Sequence, residues 1–167
     1  IIFEKTGIQK GDKIALVGKN SSNWAVSFLA ITTYGAIAVP ILHDFKPDNI
    51  HHIVNHSEAM VLFTGDLIWE NLNESQIPRV KCIISLGDFS ILHENTPFSV
   101  REIHSELPLL YSKKYPGGLT PEKIAYHRDD PEELAIINYT SGTSGFSKGV
   151  MLPYRSLVSI LLFAEAV

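Results

Sequence analysis

Short apolar runs alternate with amphipathic stretches through the first half of the chain, and this alternation restricts the possible folds more than any other feature. Lys13 to Val17, Ala36 to Ile41 and Ala59 to Thr64 each have the length and apolar character of a buried strand. Between the first two, Asn23 to Tyr34 places Trp24, Phe28, Leu29 and Ile31 at helical spacing behind the candidate N-caps Ser21, Ser22 and Asn23, and Gly35 supplies a stop. Pro47 to Asn55 is a second helix candidate. The order strand, helix, strand, helix, strand implies a parallel sheet with right-handed crossovers and helices on its faces. Val80 to Ser85 adds another apolar strand candidate, closed by Gly87-Asp88. The predicted fold class is α/β, a mainly parallel sheet flanked by helices, with residues 1–85 as its βα-repeat region.

The same pattern decides a second question. Residues 20–43 contain no Asp, Glu, Lys or Arg, which is long enough for a membrane span to be considered. A spanning helix would carry Thr32, Thr33, Gly35 and Pro40 through its second half, so the stretch reads as helix, turn and buried strand. Charge points away from nucleic acid: 14 Lys and Arg stand against 18 Asp and Glu, a net of −4. The single cysteine, Cys82, lies in an apolar run and cannot form an internal disulfide, which fits a reducing compartment such as the cytoplasm.

From Leu86 to Asp130 the prolines at 97, 108, 116 and 121 and the Gly117-Gly118 pair break periodicity repeatedly. This connection, taken as residues 86–133, reads as mostly loop and short helix. Phe89, Phe98, Leu107, Leu109, Leu110, Tyr111 and Tyr115 give it apolar anchors, so it is expected to lie over the sheet. No internal repeat is visible.

Residues 134–152 carry the chemistry. An apolar strand from Leu134 runs into a loop with three glycines, five Ser or Thr hydroxyls and Lys148, and a second apolar run leaves it. Glycines let consecutive amides turn toward an anion, hydroxyls add donors, and a lysine adds a compact positive charge. No acidic residue lies between Leu134 and Ala164, whereas Lys148 and Arg155 are basic. Composition alone would equally fit a plain Gly/Ser hairpin joining two strands. The Walker A pattern fails, since Lys148 sits between Ser147 and Gly149, and so does the dinucleotide fingerprint, since Gly142, Gly145 and Gly149 are wrongly spaced.

Three other features are weaker. His52 and His56 stand four apart with His51 adjacent, but no third metal ligand is evident, so a solvated helix face is expected. Asp129, Asp130, Glu132 and Glu133 read as an exposed acidic turn around Pro131. Ser141 lacks a nucleophile-elbow context and has no His near it in sequence, so hydrolase chemistry is not expected.

The stretch Tyr139-Thr140-Ser141-Gly142-Thr143-Ser144-Gly145-Phe146-Ser147-Lys148-Gly149-Val150 resembles the signature loop of the AMP-forming adenylating enzymes, the family of acyl-CoA synthetases, firefly luciferase and peptide-synthetase adenylation domains. It departs from the family pattern at Ser144, where Thr is usual, and at Ser147, where Pro is usual. A second resemblance runs from Gly11-Asp12-Lys13 through Asn20-Ser21, Trp24, Gly35-Ala36 and Val39-Pro40. The resemblance implies that Thr140, Ser141, Gly142, Thr143, Ser144, Gly145 and Lys148 bind the ATP phosphates, with Mg2+ sharing the charge. It implies attack of a carboxylate on the α-phosphorus to give an acyl-adenylate, then transfer to coenzyme A. The family commonly has a His where Tyr154 stands.

Both ends read as interior to a longer protein, with Leu157 to Val167 as an uncapped helical start within residues 153–167. The family's adenine and ribose motifs and its C-terminal lysine domain would lie beyond Val167, so the chain is expected to be part of the large N-terminal domain, to hold no catalytic residue of its own and to be inactive alone. The length of the 86–130 connection is most like long-chain fatty-acid-CoA ligases, which implies an enzyme that collects its fatty acid from solution or from a membrane surface. The alternatives are an aryl- or amino-acid-adenylating enzyme, or a non-catalytic nucleotide- or anion-binding module.

Overall fold

The computed structural model describes residues 1–123, 130–140 and 147–165. After a short helix α1 (Ile2–Lys5), the chain forms β1 (Lys13–Val17), α2 (Ser22–Tyr34), β2 (Ile37–Ile41), α3 (Pro47–His56), β3 (Val61–Thr64), α4 (Asp66–Trp69) and β4 (Cys82–Ser85). It continues through β5 (Ile91–Glu94), α5 (Val100–Ser105), α6 (Leu107–Lys114), β6 (Leu134–Thr140), β7 (Lys148–Pro153) and α7 (Tyr154–Glu165). The seven strands make one sheet in the order β5-β4-β3-β1-β2-β6-β7. The five inner strands are parallel, and β5 and β7 close the two edges antiparallel.

Local chemistry sets the ends of α2. The Ser21 hydroxyl accepts from the Trp24 amide at 3.1 Å, satisfying one of the first-turn donors. Gly35 takes φ 87°, the left-handed conformation that ends a helix without a Cβ penalty. The uncharged run 20–43 is thus divided between a helix and a buried strand, and among the described residues no helix is long and apolar enough to cross a membrane.

The sheet is covered on both faces. On one, Ile14, Leu16, Ala38, Phe63 and Ile84 meet Trp24, Phe28 and Ile31 of α2. On the other, Ala15, Val17, Val39, Leu62 and Ile83 meet Ile50, Ile53 and Val54 of α3. Alternate strand residues face opposite helical layers, which is why these strands carry no polar face. Cys82 is fully buried, and burial pushes its thiol up to about 12.

Among the described residues of 86–130, α5 and α6 are short helices joined by loops, and the one unexpected element is β5, a strand paired with β4. The turn before it places Phe89 at φ 63°, where a glycine or asparagine would have announced a hairpin. The Glu94 carboxylate at the end of β5 accepts from the Val100 and Arg101 amides at 2.7 and 3.0 Å, capping α5. This segment is therefore part of the sheet as well as its cover.

Candidate functional site

The signature residues are carried by the β6–β7 hairpin. β6 joins the inner sheet beside β2, with Ala38 opposite Ile136, and β7 returns along its other side. The antiparallel register sets Thr140 opposite Lys148 and Tyr139 opposite Gly149. Directly opposed side chains lie about 5 Å apart at Cβ, so Thr140 and Lys148 stand together where the two strands meet residues 141–147. Both residues are exposed. Ser141, Gly142, Thr143, Ser144 and Gly145, predicted to bind phosphate with them, lie outside the described residues.

Gly149, expected in the loop, is a strand residue. A Cβ there would meet Ile137 Cγ2 at 2.9 Å and Tyr139 Cζ at 3.3 Å, so only glycine lets β7 lie this close to β6. Tyr139 is 4% exposed on the α3 face of the sheet, where burial raises its phenol pKa. Its hydroxyl lies 2.6 Å from His56 Nδ1 at the end of α3, and the two rings meet edge to face at 5.8 Å. A cavity of about 250 Å³ opens beside this pair, lined by Lys13, Glu58, Ile137, Gly149 and Met151 as well as His56 and Tyr139. A larger hollow of about 1020 Å³ opens on the opposite face, between α1, α2 and α6, and touches no signature residue.

The surroundings favour an anion. Glu132 is engaged by Arg155 at 3.0 Å and Glu133 by Lys10 at 2.7 Å, so the acidic turn is tied to cations away from the loop. Arg155, counted with Lys148 as a local cation, therefore spends its charge on Glu132. Tyr154 donates its hydroxyl to the Thr32 carbonyl at 2.7 Å, joining α7 to α2. It is a packing residue.

Of the three histidines His56 is exposed and His52 half-buried, as a solvated face requires, whereas His51 differs. His51 is 4% exposed, its Nε2 accepts from the Asn73 amide at 3.0 Å, and burial lowers its pKa. Among the described residues no group of three or more His, Cys, Asp or Glu could hold a metal ion. The tie between His56 and Tyr139 was not foreseen: 83 residues separate them, and no local pattern links them.

Comparison with known proteins agrees with this geometry. The profile of the AMP-binding enzyme family matches residues 2–166. The long chain acyl-CoA synthetase 6, peroxisomal, of Arabidopsis thaliana is 28% identical over 160 residues, covering 92% of this chain and 21% of that protein. The chain thus spans about a fifth of the length of the curated relatives it matches. A long-chain-fatty-acid-CoA ligase from Archaeoglobus fulgidus superposes with a TM-score of 0.67 at 25% identity, over 95% of this chain and 28% of the other. An anthranilate CoA ligase in complex with anthranoyl-AMP gives 0.69 at 22% identity, over 92% and 26%, and shares the fold. Since the family match takes in both helical layers, all seven strands and the hairpin together, this chain belongs to the AMP-binding enzymes.

Proposed function

We propose that the chain is the phosphate-gripping part of the large N-terminal domain of a longer AMP-forming acid–thiol ligase. The observation that supports this reading is the hairpin register, which pairs Thr140 with Lys148 at the two ends of residues 141–147. In this reading Thr140, Ser141, Gly142, Thr143, Ser144, Gly145 and Lys148 hold the β- and γ-phosphates of ATP while a carboxylate attacks the α-phosphorus. The products are an acyl-adenylate and pyrophosphate, and coenzyme A then takes the acyl group. Positioning and charge stabilisation dominate such chemistry, which suits donors fixed to a strand pair. Mg2+, a hard cation that binds chiefly through phosphate oxygens and water, would be held by the nucleotide and would share the neutralisation of its charge with Lys148.

The acid is a fatty acid. The Arabidopsis relative's own activity supports this reading, and the physics is consistent with it, because each buried methylene contributes about 0.8 kcal/mol. The chain, which spans about a fifth of the length of its curated relatives, does not turn over alone. The enzyme works in the cytoplasm or at a membrane surface.

Adenylate formation by the full-length Lys148→Ala variant tests the site. Its kcat/KM for ATP should fall by about tenfold or more, and unchanged ATP dependence would remove Lys148 from the phosphate site. A panel of short, medium and long fatty acids, aryl acids and amino acids tests the substrate. If an aryl or amino acid gives the highest kcat/KM by a large factor, the fatty-acid assignment is wrong.

A further inference from the structure

We propose that His56 is a positioning residue for the phosphate loop, acting through Tyr139; the inference rests on the reading of residues 140–148 as that loop. Tyr139 is the last buried residue of β6, one position before Thr140 ends the strand. β6 is seated between β2, with Ala38 opposite Ile136, and β7, an edge strand whose residues Lys148 to Met151 are exposed.

A further tie to this strand end comes from α3. Ile50, Ile53 and Val54 are at most 1% exposed and fix that helix to the sheet. His56 stands in its last turn, 2.6 Å from the Tyr139 hydroxyl. Gly149 completes the arrangement, since a side chain there would press on the Tyr139 ring and on Ile137. The hydrogen bond is thus a strut from a rigid helix to the root of the loop. His56 touches no substrate in this arrangement, and its effect is on where Thr140 and Lys148 stand. A nitrogen at this place matters because a buried phenol that loses its partner would turn to find another, taking the strand end with it.

The test uses the full-length ligase with His56→Leu, Tyr139→Phe, the double variant and His56→Asn, the last keeping a polar atom near the Nδ1 position. Each of the first two should raise KM for ATP about three- to tenfold, with KM for the carboxylic acid and for coenzyme A unmoved. The double variant should be no worse than either single one, and His56→Asn should recover most of the loss. Tyr139→Phe keeps the ring in place, so the test survives if His56→Leu folds poorly. ATP kinetics within twofold of wild type in Tyr139→Phe, equal losses on all substrates, or losses that multiply in the double variant would overturn the proposal. Lys148→Ala measured alongside separates the two levels. If it impairs ATP use while Tyr139→Phe does not, only the strut fails; if Lys148→Ala also leaves ATP use unchanged, the phosphate-loop reading fails with it.

Discussion

Replacing Gly149 by alanine should loosen the hairpin by an amount that the geometry sets. The added carbon would lie 2.9 Å from Ile137 Cγ2 and 3.3 Å from Tyr139 Cζ, whereas carbons in ordinary contact lie about 3.5–4.0 Å apart. Ile137 cannot easily turn away, because a β-branched side chain is stiff at χ1. Tyr139 is held by His56. The strain therefore passes to β7, which must move outward and stretch its bonds to β6. Overpacking of this kind costs about 1–3 kcal/mol, and the lower entropy of the unfolded alanine chain returns about 0.4–1 kcal/mol. A net loss of about 1–2 kcal/mol is expected. Urea denaturation of the chain at low micromolar concentration, followed by circular dichroism, should show a midpoint lower by roughly 0.5–1 M. Removing the obstacle should restore part of the loss, so Gly149→Ala with Ile137→Ala should cost less than the two changes summed. A midpoint at or above wild type, or strict additivity, would refute the close-approach argument.

Two further predictions concern titration. Burial, with Glu94 nearby, holds the Cys82 thiol protonated up to about 12, whereas the unfolded thiol ionises near 9.0, so stability should fall as pH rises through that window; native protein should also resist a maleimide probe that labels it once unfolded, and labelling at native pH would contradict the burial. Burial lowers the His51 pKa below 6.5, so its contribution is present above pH 6.5 and lost as pH falls below it; His51→Gln, which keeps an acceptor for the Asn73 amide, should flatten that acid limb, and an unchanged limb would place the acid sensitivity elsewhere.

Much of the parallel sheet is legible in the sequence because its strands are buried on both faces and its helices carry ordinary caps. Lys13–Val17 is found at the predicted boundaries, and the next two strands begin one or two residues later than expected. β5 is not legible, since only Ile91 of its four residues is buried and its turn uses Phe89 in a left-handed conformation. Thr140 and Lys148 are visible as members of a donor-rich loop. Their pairing across a strand register is not, because register depends on the glycine at 149 and on the neighbouring strand. The partnership of His56 with Tyr139 needs α3 and β6 to meet over the sheet, and a pattern read along the chain carries no information about that meeting.

The order of the strands also has a consequence for assembly. From β2 the chain crosses to the far side of β1, lays down β3, β4 and β5, and only then returns to pair β6 with β2. Pairing β6 with β2 therefore closes the longest loop between neighbouring strands of the sheet, the costliest such contact in chain entropy. Four parallel strands can be complete before the hairpin docks. The sheet from β5 to β2 is thus laid down by residues that precede the hairpin in sequence, and the hairpin is added at the margin of that core.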